Sequence, residues 1–270
     1  MLVLYEFGNS VCCQKVRLVL CEKGLVWESR QVNLFRSEQY DLEYLKLNPK
    51  GLVPTLVHDG RPVIESTLIC EYLEGVFPEP GLMPAAEYEH ARMRLWSKAV
   101  DEGLHEGVTE ISFSAMFRER MKNMSVSERD ARFRNVGDPK RRDRFVSTYE
   151  LGVESPFVLW ASAAYERAFK SMDDALAEGG EWLVGGAFSL AEINLMPYLA
   201  RLEYLALLDV WIEGRPRVRA WWERAKRRAS FGAAIADPLT QKERDEMETF
   251  GNRIRDRVRE IHTGLLSRAV

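Results

Sequence analysis

The chain has 270 residues, 46% of them apolar and 29% charged, with a net charge of −3. That balance is ordinary for a globular protein and gives no global pull toward nucleic acid or an anionic membrane surface. No run approaches the ~18 uncharged apolar residues of a membrane span, and no basic segment leads into an apolar one, so a cytoplasmic protein with neither nucleic-acid nor membrane partners is expected.

Residues 2–7, LVLYEF, read as a short strand, residues 10–23 as a helix and residues 26–33, VWESRQVN, as a second strand. That βαβ unit predicts a right-handed parallel crossover. A polar stretch follows, with a short helix around QYDLEYLKL. TLVH-DG-RPVI reads as a hairpin on an Asp-Gly turn, and STLICEYLEGVF as a helix with Ser66 at its start. PEPGLMP, residues 78–84, is dense in proline and glycine and reads as a linker. Beyond it the pattern is helical: one long periodic segment from AEYEHARM to FRERM, then PFVLWASAAYERAFKSMDDAL, SLAEINLMPYLARLEYLALL and PRVRAWWERAKRRA, and a charged helix over roughly 240–262. The expectation is an α/β domain over residues 1–80 followed by an all-α domain over residues 86–270.

All four cysteines, Cys12, Cys13, Cys21 and Cys70, fall in the first 70 residues, and the four histidines are scattered. Neither a secreted disulfide scaffold nor a metal site is expected. FGNSVCCQKVRLVL, residues 7–20, holds the chemistry. Ser10 stands where a strand ends and a helix begins. It is suited to cap that helix, accepting a backbone N–H. The same geometry suits an anion, because free N–H groups and the positive end of the helix dipole point at it. A thiolate held there is a nucleophile near neutral pH. The redox pattern C-x-x-C is here S-x-x-C, Ser10 to Cys13. Cys13 shares an apolar stripe with Val16 and Leu20 and reads as core; Cys12, in the first helical turn, stays open as a thiol of lowered pKa.

Two further signals accompany it. NPKGLVPTL, residues 48–56, carries a Val-Pro pair before a strand, a fixed turn of either isomer that leaves the Val53 backbone as an edge for a short peptide. Glu65-Ser66 opens a helix, where Ser66 and the first N–H groups suit a carboxylate and Glu65 an ammonium group. Together the three fit a small zwitterionic peptide with a central thiol.

These motifs resemble the cytosolic glutathione transferase superfamily, serine type, across nearly the whole chain. FSLAEINLMP resembles that family's N-capping box, with Ser189 and Glu192 in the paired roles. The stretch NPKGLVPTLVHDGRPVIESTLICEYLEGVFPE is similar to bacterial transferases of the β-etherase type, which cleave aryl ethers with glutathione. The resemblance implies a thioredoxin-like first domain, an all-helical second domain and glutathione as co-substrate without a metal. It implies that Ser10 contacts the sulfur, with Asn9 beside it. It also implies that Lys50 approaches the glycyl end, that Val53 and Pro54 present the turn to the cysteinyl backbone, and that Glu65 and Ser66 hold the γ-glutamyl end. A homodimer is the family's usual assembly, with Asp101 a candidate for reaching a partner's site. The reaction implied is attack of the thiolate on a hydrophobic, aromatic electrophile. Phe7, Phe113 and Phe117 are candidates to line the acceptor site, plain core packing being the alternative for the two on the helix. The insertion near residues 124–156 reads as a long loop overhanging that site.

Two alternatives stay open: a thiol-disulfide oxidoreductase using Cys12 or Cys13, and a glutathione-binding protein without turnover. The stretch RFRNVGDPKRRDRF reads as a solvated surface, its acids interleaved with its arginines, and His105 as an exposed histidine or a base.

Overall fold

The computed structural model describes residues 1–267. The first strand, β1 (Leu2–Glu6), buries Leu2, Val3 and Leu4, as a central strand covered on both faces must. It leads through a four-residue turn into α1 (Val11–Glu22), and β2 (Trp27–Gln31) follows as an exposed edge strand parallel to β1, Leu2 opposite Trp27. Two short 3₁₀ turns and α2 (Leu42–Leu47) precede β3 (Thr55–His58) and β4 (Arg61–Ile64). Both join antiparallel, giving the order β2-β1-β3-β4. The Asp-Gly pair makes the expected hairpin turn: Asp59 and Gly60 have φ of 48° and 79°, the two positive values a type I′ turn needs. Next, α3 (Ser66–Val76) lies against α1, burying Ile69, Cys70 and Leu73. Lys23, on the exit from α1, pins the linker by donating to the Phe77 and Pro80 carbonyls at 2.7 and 2.8 Å and pairing with Glu74.

The long helical segment is less regular than its periodicity predicts. It comprises α4 (Glu87–Ala99), α5 (His105–Ser112) and α6 (Arg118–Lys122), joined by π-helical turns at Val100–Leu104 and Phe113–Phe117. A π turn takes in one extra residue and reshapes the local hydrogen bonding; the Leu104 carbonyl accepts from the Tyr165 hydroxyl at 3.4 Å. The inserted segment is mostly helical and not the loop its charge density suggests, because its own caps start two helices: α7 (Val126–Arg134) on a Ser125–Glu128 capping box and α8 (Pro139–Leu151) on Asp138. The remainder is α9 (Pro156–Ala177), α10 (Leu190–Tyr204), α11 (Asp209–Ile212), α12 (Pro216–Lys226), α13 (Ala229–Phe231), a third π turn at Gly232–Ala236, and α14 (Gln241–Leu266).

The chain forms two compact units. The first comprises Met1–Ser97 with two remote segments, Gly180–Pro197 and Trp222–Leu239. The sheet and α1–α3 form its thioredoxin-like part. Within it the Ser189 amide and hydroxyl donate to Glu192 at 2.9 and 2.8 Å, the Leu183 amide donates to the other carboxylate oxygen at 2.7 Å, and Ser189 Oγ accepts from the Ala191 amide at 3.2 Å, so Ser189 and Glu192 take the paired capping roles that the FSLAEINL pattern predicts. The second unit comprises Lys98–Gly179, Tyr198–Trp221 and the chain from Thr240 onward. Its core stacks Tyr165 on Phe169 and sets Trp211 at a tilt against both. Glu166 takes a 2.5 Å bond from Arg215 and lies 2.8 Å from His262, tying α14 to α9.

Candidate active site

In the first unit, β1 ends on Glu6 and the chain turns through Phe7, Gly8 and Asn9 to Ser10. Ser10 is the N-cap of α1, with φ −88° and ψ 121°, and its Oγ accepts from the Cys13 amide at 3.4 Å. An oxygen that accepts this bond still has its own O–H to donate. The turn is closed by the Ser10 amide donating to Phe7 O at 3.0 Å and the Phe7 amide to Cys13 Sγ at 3.4 Å. Asn9 is buried, and Phe7, half-buried, meets Phe35 edge-on at 5.5 Å.

Cys13 is fully buried, and that desolvation pushes its thiol up to about 12 despite Arg17 nearby. A thiol that stays protonated is neither an attacking thiolate nor a ready leaving group. Cys12 is half-buried in the first turn of α1, and all four cysteines are thiols, not disulfides.

The Val-Pro turn follows. The Val53–Pro54 bond is cis, Pro54 is buried and Val53 half-buried. The β3 ladder starts at Thr55, paired with Ile64, so Val53 stands outside it. Two residues that sequence reasoning passed over hold this loop. Tyr44 and Asn48 both donate to the Leu52 carbonyl, at 2.5 and 2.8 Å, and both meet Thr55 Oγ1, at 3.0 and 3.2 Å. The Asn-Pro-Lys motif is the signal that could have revealed Asn48, because its carbonyl oxygen also takes the Lys50 amide in an Asx-type turn.

At the start of α3 the N-cap is Glu65, not Ser66. Glu65 has φ of 70°, a left-handed value costly for a residue with a Cβ, and its side chain makes no capping bond. Ser66 is the first helical residue, so its amide is one of the N-terminal amides that have no partner within the helix itself. Lys50 Nζ lies 2.7 Å from Glu65 Oε1, both side chains half exposed. The first unit thus brings together Ser10, Asn9 and Phe7 at one helix start, and Lys50, Glu65 and Ser66 at another.

Phe113 and Phe117 belong to the second unit. Phe113 is buried and stacks on Phe145 of the insertion, 4.6 Å between centroids and 10° between planes; Phe117 lies 5.9 Å from Phe113. His105 Nδ1 is 3.3 Å from the buried Tyr198 hydroxyl, and Asp101 is exposed in the first π turn. Among the described residues no cluster of three or more His, Cys, Asp or Glu could hold a metal ion, and no helix is long and apolar enough to cross a membrane.

The family model for the glutathione S-transferase N-terminal domain matches residues 9–76, and that for the C-terminal domain matches residues 130–224. The crystal structure of beta-etherase LigF from Sphingobium sp. strain SYK-6 superposes with a TM-score of 0.77 at 30% identity, over 87% of this chain and 99% of that one. The chain belongs to the glutathione S-transferase family. In sequence this family member is 41% identical to Protein LigF of Sphingobium sp. over 144 residues, about half the length of each (52% of this chain, 56% of that protein). It is 28% identical over 243 residues to the tetrachloro-p-hydroquinone reductive dehalogenase of Sphingobium chlorophenolicum, spanning 87% of this chain and 96% of that one. The N-terminal match contains every proposed glutathione contact from Asn9 to Ser66.

Proposed function

We propose that this protein catalyses attack of glutathione thiolate on a hydrophobic aromatic electrophile, with β-aryl ether cleavage its main reaction. The observation that carries this is Ser10 as the cap of α1, its O–H free to donate beside the positive end of the helix. A sulfur anion placed there gains a hydrogen bond and a favourable dipole, which lowers its pKa. Glu65 and Ser66 hold the γ-glutamyl end, the Val53 turn takes the cysteinyl backbone, and Lys50 neutralises the glycyl carboxylate. In the ether reaction the thiolate forms a C–S bond to the β-carbon, and the C–O pair leaves on the phenolate oxygen. The phenolate, the conjugate base of an acid of pKa about 10, leaves as the anion and takes its proton from solvent, so no general acid is required of the chain. Similarity to LigF, a protein described as a beta-etherase, supports the choice of electrophile. Phe7, Phe113 and Phe117 stay candidates for the acceptor side, the last two also serving in the second unit's own packing. Homodimer assembly and domains of 1–80 and 86–270 are part of the same reading.

Thiol exchange through Cys13 is disfavoured by its burial, and Cys12 is the thiol the experiment must separate. The test is turnover with glutathione on β-aryl ethers, halogenated aromatics and mixed disulfides, using wild type, Ser10→Ala, Cys12→Ala and Cys13→Ala. Ether cleavage lost in Ser10→Ala and kept in both cysteine variants supports the proposal. Disulfide exchange lost in Cys12→Ala, with no ether cleavage in wild type, contradicts it.

A further inference from the structure

The side chain of Arg17 is almost wholly buried, on the second turn of α1, yet it faces the turn before that helix. Its Nη2 donates to the Gly8 carbonyl at 2.7 Å. Its Nη1 pairs with Glu6, whose other carboxylate oxygen takes the Ser29 hydroxyl at 2.6 Å. Its Nε donates to the Ala234 carbonyl at 2.8 Å, across 217 residues of sequence. One planar fork thus joins the end of β1, the middle of the Phe7–Ser10 turn and the π turn at Gly232–Ala236. A second contact reaches the same turn from the same remote segment. A Cβ on Gly8 would stand 2.9 Å from the Pro238 carbonyl, so there is no space for a side chain there.

We infer that Arg17 is a positioning residue for the Ser10 hydroxyl, and that the segment from Gly232 to Pro238 is the buttress against which it works. The inference rests on the proposed role of Ser10. A buried ion pair to Glu6 would satisfy the charge without any contact to Gly8. The extra bond falls on a carbonyl two residues before Ser10, in a turn without regular secondary structure to hold it. Guanidinium suits the task because its donors are fixed in one plane, whereas an ammonium is a point charge that cannot hold three directions. Arg17 acts through the turn, not on the sulfur.

The test uses Arg17→Lys, which keeps the charge and loses the fork, and Gly8→Ala, which pushes the turn off Pro238 from the other side. Each is checked for a wild-type circular dichroism spectrum. Glutathione affinity is measured by calorimetry, the pKa of the bound thiol by thiolate absorbance, and kcat with an aryl ether. The expected result is affinity within about threefold of wild type, because the γ-glutamyl and glycyl contacts are untouched, with the thiol pKa raised and kcat down roughly tenfold to a hundredfold. If Arg17→Lys does not fold, Gly8→Ala decides. A folded variant with wild-type thiol pKa and kcat overturns the inference, as does one that loses affinity and kcat in the same proportion. Ser10→Ala run alongside separates the two layers: if it leaves the bound thiol pKa unchanged, the reading of Ser10 itself falls, and the role of Arg17 with it.

Discussion

Lys50 and Glu65, fifteen residues apart, are joined by a 2.7 Å ion pair at the start of α3. In the proposed binding mode they serve opposite ends of the tripeptide, and in that mode binding exchanges this pair for contacts with ligand. The exchange is inexpensive, because an exposed ion pair contributes at most about 1 kcal/mol. Glu65→Gln is expected to leave thermal stability unchanged and to raise KM for glutathione about tenfold or more, the loss of one charge-assisted bond. Its kcat should hold. Steady-state kinetics over a glutathione series checks this, and an unchanged KM would remove Glu65 from the site.

Cys13 should be inert in the folded protein. Burial holds its thiol at about 12, so iodoacetamide at pH 7.5 should label it only after unfolding. The same shift has a sign in stability. The unfolded chain loses this proton near its ordinary value of 9.0, the folded chain only near 12. Between those values the folded state binds more protons, so its contribution to stability is complete below pH 9 and falls as pH rises toward 12. Cys13→Ala should remove that decline in alkaline melts.

Glu110 should make the second unit weaken as pH rises from 5 to 7. Its carboxylate is buried on α5, 3.1 Å from Arg144, with Glu106 and Arg141 also nearby. Desolvation dominates and pushes it up from 4.5 to about 7. The folded state therefore keeps a proton that the unfolded state gives up near 4.5, and that stabilisation is lost as pH climbs through 7. Glu110→Gln should flatten the profile over this range. Urea titrations at half-unit pH steps measure it, and a variant profile parallel to wild type would refute the assignment.

Gly251 on α14 has no alternative. A Cβ there would lie 1.8 Å from the Leu205 carbonyl, against backbone that cannot swing aside. Gly251→Ala should cost roughly 3 kcal/mol or more, or prevent folding. A denaturation midpoint within error of wild type would mean that α14 packs elsewhere.

Much of this architecture is legible in local pattern. The continuous apolar run of β1, the Asp59-Gly60 turn and the S-x-x-E spacing at Ser189 each express a short-range rule, and each appears in the structure where the rule predicts. The helical content of the insertion was also encoded, in S-x-x-E at Ser125 and Asp-Pro at 138–139, signals outweighed by the density of charge around them. Two of the three π turns, at residues 100–104 and 113–117, had no such mark, because VDEGL and FSAMF mix strong and weak helix formers inside a segment whose periodicity stays helical. Ser10 was readable as a helix start because N-caps have a residue signature, whereas at α3 the same signature pointed to Ser66, one residue past the Glu65 cap. Arg17 was not: its partner Ala234 contributes only a backbone carbonyl, which no side-chain pattern records.

The most direct test of the account is the pKa of glutathione's thiol when bound, followed by thiolate absorbance across pH in wild type and Ser10→Ala. The account predicts a value between roughly 6 and 7.5 in wild type and a rise toward about 8.5, that of a free thiol, in the variant. Equal values in the two proteins would contradict it.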